Sequence, residues 1–418
     1  MSVTLLLLAC TARSPEVAPQ GNQEPHVSEN SSLEDSSATL ERPILPSGGD
    51  IRAVAAFTQA NNAFANDIYQ ALPPGDLFFS PTSLIAGLGL AVVGAQGETQ
   101  TQMRQLLRLD FENADEAVAH WFETTTEPNE TFQIQIANRI WPHINLAIDE
   151  AYIANTRQLY DAQMEQLDYS DPSPARERIN SWVAQNTQGH IEDLLPMGAV
   201  GTQTRMVLTN AIYFNAEWEQ DFRPSDTRPA PFFLNDGSQI EVETMTRTGG
   251  FSVSDNDGLS VVRLPYQGGS YEMVVVMPDD PESLNDFDLT EIDALAQNTQ
   301  TQLVRLTLPR LSVRYSQDMS MVLASLGMTH AFSPDADFSA MVTSEQVSLD
   351  TVFHQTFLRV DERGTEAAAA TGGLMRNRSM LPPSQPFLID HPFVFVIRDR
   401  SGAIVFAGRI IDPSEPSN

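Results

Sequence analysis

The chain has 418 residues, 41% of them hydrophobic, and a formal net charge of −31. This length allows one large domain or two smaller ones. The charge disfavours nucleic acid and anionic membrane surfaces as partners and favours basic proteins. The single cysteine, Cys10, excludes an intramolecular disulfide framework, and the seven histidines show no metal-ligand spacing. We therefore expect no metal and no other cofactor.

The chain begins with a short apolar run, Val3 to Ala9, followed by Cys10. This run is too short to span a bilayer, which takes about 20 apolar residues. It resembles the end of a bacterial lipoprotein signal, in which the cysteine is acylated after cleavage, although no basic residue precedes it. Residues 1–10 are therefore interpreted as a lipoprotein-type signal end with Cys10 as the lipid attachment site. The alternative is an ordinary free cysteine in a frayed terminus.

Residues 11–49 are rich in Ser, Glu, Pro, Asn and Gln and show no hydrophobic periodicity. Such a segment cannot bury enough apolar surface to offset its ordering entropy, so we predict a disordered tether. A folded domain is expected from residue 50 to residue 418. If Cys10 is lipidated, the protein is an extracytoplasmic envelope lipoprotein, and otherwise it is secreted and extracellular.

Helical patterns come first in this domain. Apolar residues recur at helical spacing from Val54 to Leu72, and Pro73-Pro74-Gly75 ends that helix. Ser80-Pro81 predicts the start of a second helix, since serine caps and proline suits the first turn. Gly97 separates it from a third, which runs through Met103, Leu106 and Leu107.

Strand patterns dominate the rest of the chain. Apolar or alternating runs predict strands at Phe132–Ile136, Arg205–Phe214, Val261–Leu264, Tyr271–Met277, Leu303–Val313, Val347–Val360, Phe393–Ile397 and Ile404–Gly408. Two pairs of these, separated by short polar turns, predict hairpins. Helices in the first half and strands in the second favour an α+β fold.

Residues 361–386 form a long connection between two predicted strands, and loops of that length are usually functional or disordered. In an extended strand, alternate residues would share one face, and that face would hold only small uncharged residues: Thr365, Ala367, Ala369, Thr371 and Gly373. Such a strand fits into a packed sheet without burying a bulky or charged side chain. An alanine-rich flexible linker explains the same composition.

An ordered set of motifs resembles the serpin family over nearly all of Asp50 to Pro413. The set comprises Phe79-Ser80-Pro81-Thr82-Ser83, Gly94 to Thr99, Ile179 to Pro196, Asn210 to Phe214 with Trp218, Leu264-Pro265-Tyr266, Leu308-Pro309-Arg310, Asp337-Phe338-Ser339, His354, and His391 to Arg409. The loop itself resembles the hinge of inhibitory serpins at Gly364, Thr365, Glu366, Ala367, Ala368, Ala369, Ala370 and Thr371.

The resemblance implies a serpin fold with three β-sheets, about nine helices and an exposed reactive-centre loop at about 361–386. It also implies a suicide-substrate inhibitor: a serine protease attacks the loop, an acyl-enzyme forms, and the cleaved loop inserts into the large sheet. Counting from the hinge places the reactive bond at Arg378-Ser379, which implies trypsin-like targets. Arg376 is a second possible cleavage point, and Met375, Met380 or Leu381 would suit chymotrypsin- or elastase-like proteases.

The resemblance further implies a sheet-opening cluster formed by Ser80, Ser83, Asn210 and His354, with Trp218 packed where insertion begins. Serine, histidine and asparagine also suggest a hydrolase, but no Gly-x-Ser-x-Gly elbow is present, so no catalytic residue is predicted. Residues 111–130 carry several acidic side chains and no Lys or Arg, which argues against heparin activation there. The expected partner is a serine protease in a covalent complex with a monomer. A non-inhibitory binding or chaperone-like serpin is the alternative, as is a simple protease substrate.

Overall fold

The structure, a computed structural model, describes residues 51–126, 132–160, 164–365 and 384–414. Helices within these ranges are α1 Ile51–Ala71, α2 Pro81–Gly94, α3 Gly97–Leu106, α4 Ala114–Thr126, α5 Glu150–Tyr160, α6 Pro172–Asn186, α7 Ile292–Gln297 and α8 Ser320–Ser325. No helix in the described part of the chain is long and apolar enough to cross a membrane. The predicted signal end, Cys10 and the tether lie outside the described residues.

Local signals set the first three helices as predicted. α1 ends just before Pro73, whose ring would clash inside a helix. The Ser80 side chain caps α2 by accepting a hydrogen bond from the backbone N–H of Ser83 at 3.2 Å. Gly97 begins α3 with φ +54°, a conformation that favours glycine.

The strands are β1 Leu77–Phe79, β2 Phe132–Pro142, β3 Met206–Glu217, β4 Arg228–Phe233, β5 Gln239–Asn256, β6 Leu259–Pro265, β7 Tyr271–Pro278, β8 Gln300–Pro309, β9 Leu311–Asp318, β10 Thr351–Val360, β11 Gly364–Thr365, β12 Gln385–Leu388, β13 Phe393–Asp399 and β14 Ile404–Ile410. They form a five-stranded sheet in the order β2-β3-β11-β10-β9. A second hydrogen-bonded sheet runs β1-β14-β13-β7-β6-β5-β8-β12, with β4 also on β5.

The third expected sheet is continuous with the second through the long strand β5. One part of β5 pairs with β8 over Thr244 to Val253, and its last residues pair with β6. The strands of the second and third expected sheets therefore form one hydrogen-bonded sheet, because β5 is long enough to pair with strands of both. The α+β fold class is confirmed, as are the predicted hairpins β6–β7 and β13–β14.

Two strand predictions were too long. The run Leu303–Val313 is split between β8 and β9, which lie in different sheets. The break falls at Pro309, which has no N–H to donate, and at Arg310, whose side chain leaves the ladder to bond Glu362. The run Val347–Val360 forms a strand only from Thr351. The Asp350 carboxylate before it instead accepts hydrogen bonds from the backbone N–H groups of Arg205 and Met206, at the start of β3.

The five-stranded sheet is covered on both faces. Its inner face joins the main core between the two sheets and the helices. Its outer face packs against a smaller core that α6 and the segment after it supply. This second core contains Ile179, Val183, Ile191, Leu194 and Leu195 over Ala211 and Phe353 of the sheet. The segment from α6 to β3 is thus held against the outer face of β3 and β10.

Candidate functional site

The boundary between β3 and β10, here called the seam, is the central feature of the five-stranded sheet. The two strands run parallel and pair directly from Val207–Thr351 to Tyr213–Phe357. All other pairings within this sheet are antiparallel. Parallel pairing is slightly less stable per residue than antiparallel pairing. The seam is therefore the weaker ladder of this sheet.

At one end of the seam the chain turns back on itself and enters the sheet. After β10, residues 361–363 form a turn closed by a hydrogen bond from the backbone N of Asp361 to the carbonyl of Gly364 at 2.9 Å. Gly364 and Thr365 then lie between β3 and β10 as β11. Thr365 is opposite both Ala216 and Val360. The first two hinge residues thus already occupy the top of the seam.

Close packing explains why these two residues are small. A Cβ on Gly364 would overlap the carbonyl oxygen of Ala216, so only glycine fits there without displacing β3. The Thr365 side chain is fully buried, at 0% exposure, and its hydroxyl lies 2.7 Å from the Tyr266 hydroxyl. Thr365 belongs to the face of small uncharged residues that the sequence pattern defined. The structure places that first member toward the interior.

Two stacked aromatic rings support the hinge. The indole of Trp218 lies on the ring of Tyr266, with centroids 4.5 Å apart and planes at 12°. Trp218 Nε1 donates to the carbonyl of Asp361 at 3.0 Å, and the backbone N–H of Trp218 donates to the carbonyl of Arg363 at 2.7 Å. Burial raises the pKa of the Tyr266 hydroxyl, which keeps it a neutral hydrogen-bonding group. These contacts fix the point where the chain enters the sheet.

A buried carboxylate fixes the turn on its other side. Glu362 is 5% exposed and accepts hydrogen bonds from Arg310, at 2.5 and 3.0 Å, and from the hydroxyl of Thr227. Burial raises the pKa of this carboxyl, but the bonds from Thr227 and Arg310 outweigh it and hold the pKa below its usual value. Glu362 is therefore charged at neutral pH. Its ion pair links the turn to the strand boundary between β8 and β9.

A second polar group crosses the middle of the seam. Asn210 of β3 and His354 of β10 are direct neighbours in the ladder, and their side chains bond to each other. Asn210 Nδ2 also donates to the Ser83 hydroxyl at 2.8 Å. His354 Nε2 accepts from the backbone N–H of Ser80 at 3.1 Å. The start of α2 is thereby tied to both strands of the seam.

The protonation of His354 follows from these bonds. Because Nε2 accepts from Ser80, the proton of the neutral ring lies on Nδ1 and is donated to Asn210 Oδ1. Complete burial lowers the pKa of His354 to about 3, so the ring is neutral at physiological pH. The Ser80 hydroxyl does not bond the imidazole; it accepts from Ser83 N and lies 3.2 Å from the Thr82 hydroxyl. A buried cluster with this connectivity is not a serine–histidine nucleophile.

Comparison with known proteins identifies the family. The family model "Serpin (serine protease inhibitor)" matches residues 59–413. This chain belongs to the serpin family. A serpin-like protein of Methanosarcina acetivorans is 31% identical over 85% of each chain. The leukocyte elastase inhibitor of Bos taurus is 33% identical over 85% of this chain and 98% of its own. The crystal structure of Serpin48 of Tenebrio molitor covers 85% of this chain and 98% of its own, with 29% identity and a TM-score of 0.75.

The structure of this serpin brings the predicted site residues together in two groups. Ser80, Ser83, Asn210 and His354 meet at the middle of the seam, whereas Trp218 lies at the hinge end. Predicted positions outside the described residues are the hinge residues Glu366 to Thr371, the reactive bond Arg378-Ser379, the alternatives Met375, Arg376, Met380 and Leu381, and Cys10.

Several contributors were not predicted as site residues. Tyr266 and Arg310 appeared only as parts of short motifs, although they bond Thr365 and Glu362. Asn138 was not identified at all, yet its side chain accepts a hydrogen bond from Asn210 at 2.5 Å. No local pattern marks such residues, because their partners lie far away in sequence. Among the described residues, no three His, Cys, Asp or Glu side chains are grouped as metal ligands.

Proposed function

We propose that this serpin is a suicide-substrate inhibitor of trypsin-like serine proteases that traps the acyl-enzyme by inserting its cleaved loop into the seam. One observation carries the proposal: β3 and β10 pair directly in parallel, while Gly364 and Thr365 enter between them at one end. The seam is thus a closed slot whose first positions are already filled by the hinge. Its antiparallel contacts with β3 set the direction and register in which further residues would enter.

The strand ladder supplies a driving force for insertion. A strand entering beside Thr365 would run antiparallel to both β3 and β10. One parallel ladder of seven residue pairs would then be replaced by two antiparallel ladders. Roughly seven additional backbone hydrogen bonds, at about 1 kcal/mol each, would favour the inserted state. The state with a closed seam is then metastable toward insertion.

Attachment of the loop at both ends explains why insertion would wait for cleavage. The connection leaves the five-stranded sheet at β11 and re-enters the other sheet at β12, where Gln385–Leu388 pairs with β8. Deep insertion would draw the chain away from β12 unless a bond in the loop were broken. Cleavage at Arg378-Ser379 would free the inserting segment while the protease remains esterified to Arg378. The metastability would then drive the trap.

The sequence of the hinge supports inhibition over a non-inhibitory role. Thr365 points into the interior, so the alternate residues that would follow it on this face are Ala367, Ala369, Thr371 and Gly373. Each of them is small and uncharged, so burial of this face costs no charge desolvation. A bulky or charged residue on this face would oppose insertion. This hinge has none through Gly373.

A second target class has its own support. Relatives about one-third identical are named leukocyte elastase inhibitors. Met375, Met380 and Leu381 lie near Arg378 and would suit elastase- or chymotrypsin-like pockets. These enzymes would cleave at a different bond, so the cleavage site separates the two classes. Arginine at position 378 makes trypsin-like enzymes the first choice, since a guanidinium pairs bidentately with a buried carboxylate.

The experiment is to mix the purified chain with trypsin near equimolar ratio and to analyse denaturing gels and intact masses. We expect a band at the summed mass and a released peptide that begins at Ser379. The Arg378→Ala variant should lose the complex, whereas Arg376→Ala, the matched control, should keep it. Cleavage without a complex would contradict inhibition of trypsin-like proteases. A complex only with elastase or chymotrypsin would favour the second class, and no cleavage by any of them would favour a non-inhibitory role.

A further inference from the structure

The ring of His190 lies flat across the seam on its outer face. Its imidazole is stacked on Tyr213 of β3, with centroids 4.7 Å apart and planes at 1°. It is also stacked with the ring of Phe357 of β10, with centroids 5.5 Å apart and planes at 8°. One ring thus contacts an aromatic side chain on each strand of the seam. Aromatic contacts at these distances contribute beyond the area they bury.

The two rings beneath His190 occupy a particular place in the ladder. Tyr213–Phe357 is the last directly paired position at the hinge end of the seam. The inserted residue Thr365 lies opposite Ala216, only three residues further along β3. Any strand that continued from Thr365 would have to separate Tyr213 from Phe357 before the other direct pairs. His190 therefore covers the first closed pair.

The protein holds this ring in place from several sides. The backbone N–H of His190 donates to the carbonyl of Thr187 at 2.9 Å, which fixes His190 to the end of α6. Its carbonyl accepts from Arg314 of β9 at 3.2 Å, and the guanidinium of Arg314 lies 5.7 Å from the Phe357 ring. The next residue, Ile191, is buried in the core beneath α6. Burial and the nearby Arg314 charge lower the pKa of His190, so the stacked ring is neutral at physiological pH.

We infer that His190 is a positioning residue for loop insertion: its ring bridges Tyr213 and Phe357 and slows the opening of the seam. This inference rests on the proposed function and names a residue that sets the rate of its decisive step. Parting the two strands requires the ring to leave at least one of its two partners. The same contact stabilises the closed seam in the uncleaved chain. His190 therefore balances the speed of trapping against the lifetime of the closed state.

The test measures insertion without any protease. The probe is a synthetic acetylated peptide with the sequence of residues 365–378, and its uptake by the full chain is followed by native gel and intact mass. Loss of stacking on two aromatic partners should make uptake about tenfold faster in His190→Ala. The same variant should convert faster on warming to a form that resists urea. Uptake at the unsubstituted rate would overturn the inference.

Two further variants separate stacking from a general loss of structure. His190→Phe keeps a flat ring and should restore the slow uptake, whereas any destabilised segment would remain fast. His120→Ala removes an imidazole from α4, away from the seam, and should leave the rate unchanged. In a Phe357→Leu background, His190→Ala should have a smaller effect, since one partner is already lost. Equal effects in both backgrounds, or a His190→Phe variant as fast as alanine, would overturn the inference.

The protease assay keeps the two proposals distinguishable. If the unsubstituted chain traps trypsin but His190→Ala takes up peptide no faster, only the inference about His190 fails. If the chain takes up peptide faster after His190→Ala but traps no protease, the proposed inhibition fails and the role of the ring stands. Where both hold, His190→Ala should form more complex per cleavage event than the unsubstituted chain.

Discussion

Replacing His354 with glutamine should reduce the pH dependence of the free energy of unfolding of the closed state. His354 is completely buried at the middle of the seam, and burial lowers the pKa of its ring to about 3. In the unfolded chain the same group titrates near 6.5. Between these two values the unfolded chain takes up a proton that the folded chain does not. The free energy of unfolding therefore falls as the pH drops below 6.5, and this loss stops below about 3.

The magnitude follows from the size of that window. Each pH unit inside it costs about 1.36 kcal/mol, so lowering the pH from about 6.5 to about 4.5 costs about 2.7 kcal/mol from His354 alone. Above pH 6.5 both states carry a neutral ring, and the contribution to stability is fully present. Glutamine offers one donor and one acceptor for Asn210 and Ser80 but does not titrate. The His354→Gln variant should therefore lose about 2.7 kcal/mol less than the unsubstituted chain over that interval.

The assay is urea-induced unfolding followed by intrinsic fluorescence at about pH 7 and about pH 4.5. The quantity compared between variants is the change in the free energy of unfolding from about pH 7 to about pH 4.5. The many carboxylates contribute equally to this change in both variants, so their contribution cancels. His120→Gln, at a partly buried position on α4, controls for the loss of an imidazole. Equal losses of stability in His354→Gln and the unsubstituted chain would refute the reasoning, because the buried neutral ring would then contribute nothing to the pH dependence.

Three other predictions concern the hinge, the turn and the chain start. Thr365→Arg places a charge against Tyr266 in the interior, so trypsin should cleave the loop without forming a complex; Thr365→Val should keep the complex. Glu362→Gln weakens charge-assisted bonds with Arg310 and should cost about 1.5–3 kcal/mol, seen as a lower urea midpoint; an unchanged midpoint would contradict this. If Cys10 is lipidated, the chain should fractionate with bacterial membranes and Cys10→Ser should release it, whereas identical fractionation would argue against the anchor.

Local sequence signals predicted a substantial part of the fold. Proline and glycine positions, capping serine and apolar periodicity defined α1, α2 and α3, because these effects act within a few residues. The hairpins β6–β7 and β13–β14 were predicted for the same reason. The prediction of one strand over Leu303–Val313 was wrong, because an apolar pattern shows only that residues are buried. It does not show that Pro309 sends the chain from one sheet into another.

Contacts between distant residues decided the rest of the site. Asn210 and His354 are 144 residues apart, and no local pattern states that they pair across a parallel ladder. The motifs grouped them only through resemblance to a family. His190, Tyr266 and Arg310 also lie in motifs that carry the resemblance, but their contacts were not predicted, because these contacts depend on rings and charges brought close by the folded sheets.

The sequence by itself determined where α1, α2 and α3 form, where two hairpins turn, and that one long loop begins with small uncharged residues. Only the tertiary structure decided that β3 and β10 lie side by side, that Thr365 already enters between them, and that His190 covers the next pair. The physical reason is the range of the interactions. Backbone conformation responds to neighbouring residues, whereas strand pairing and burial depend on the whole chain.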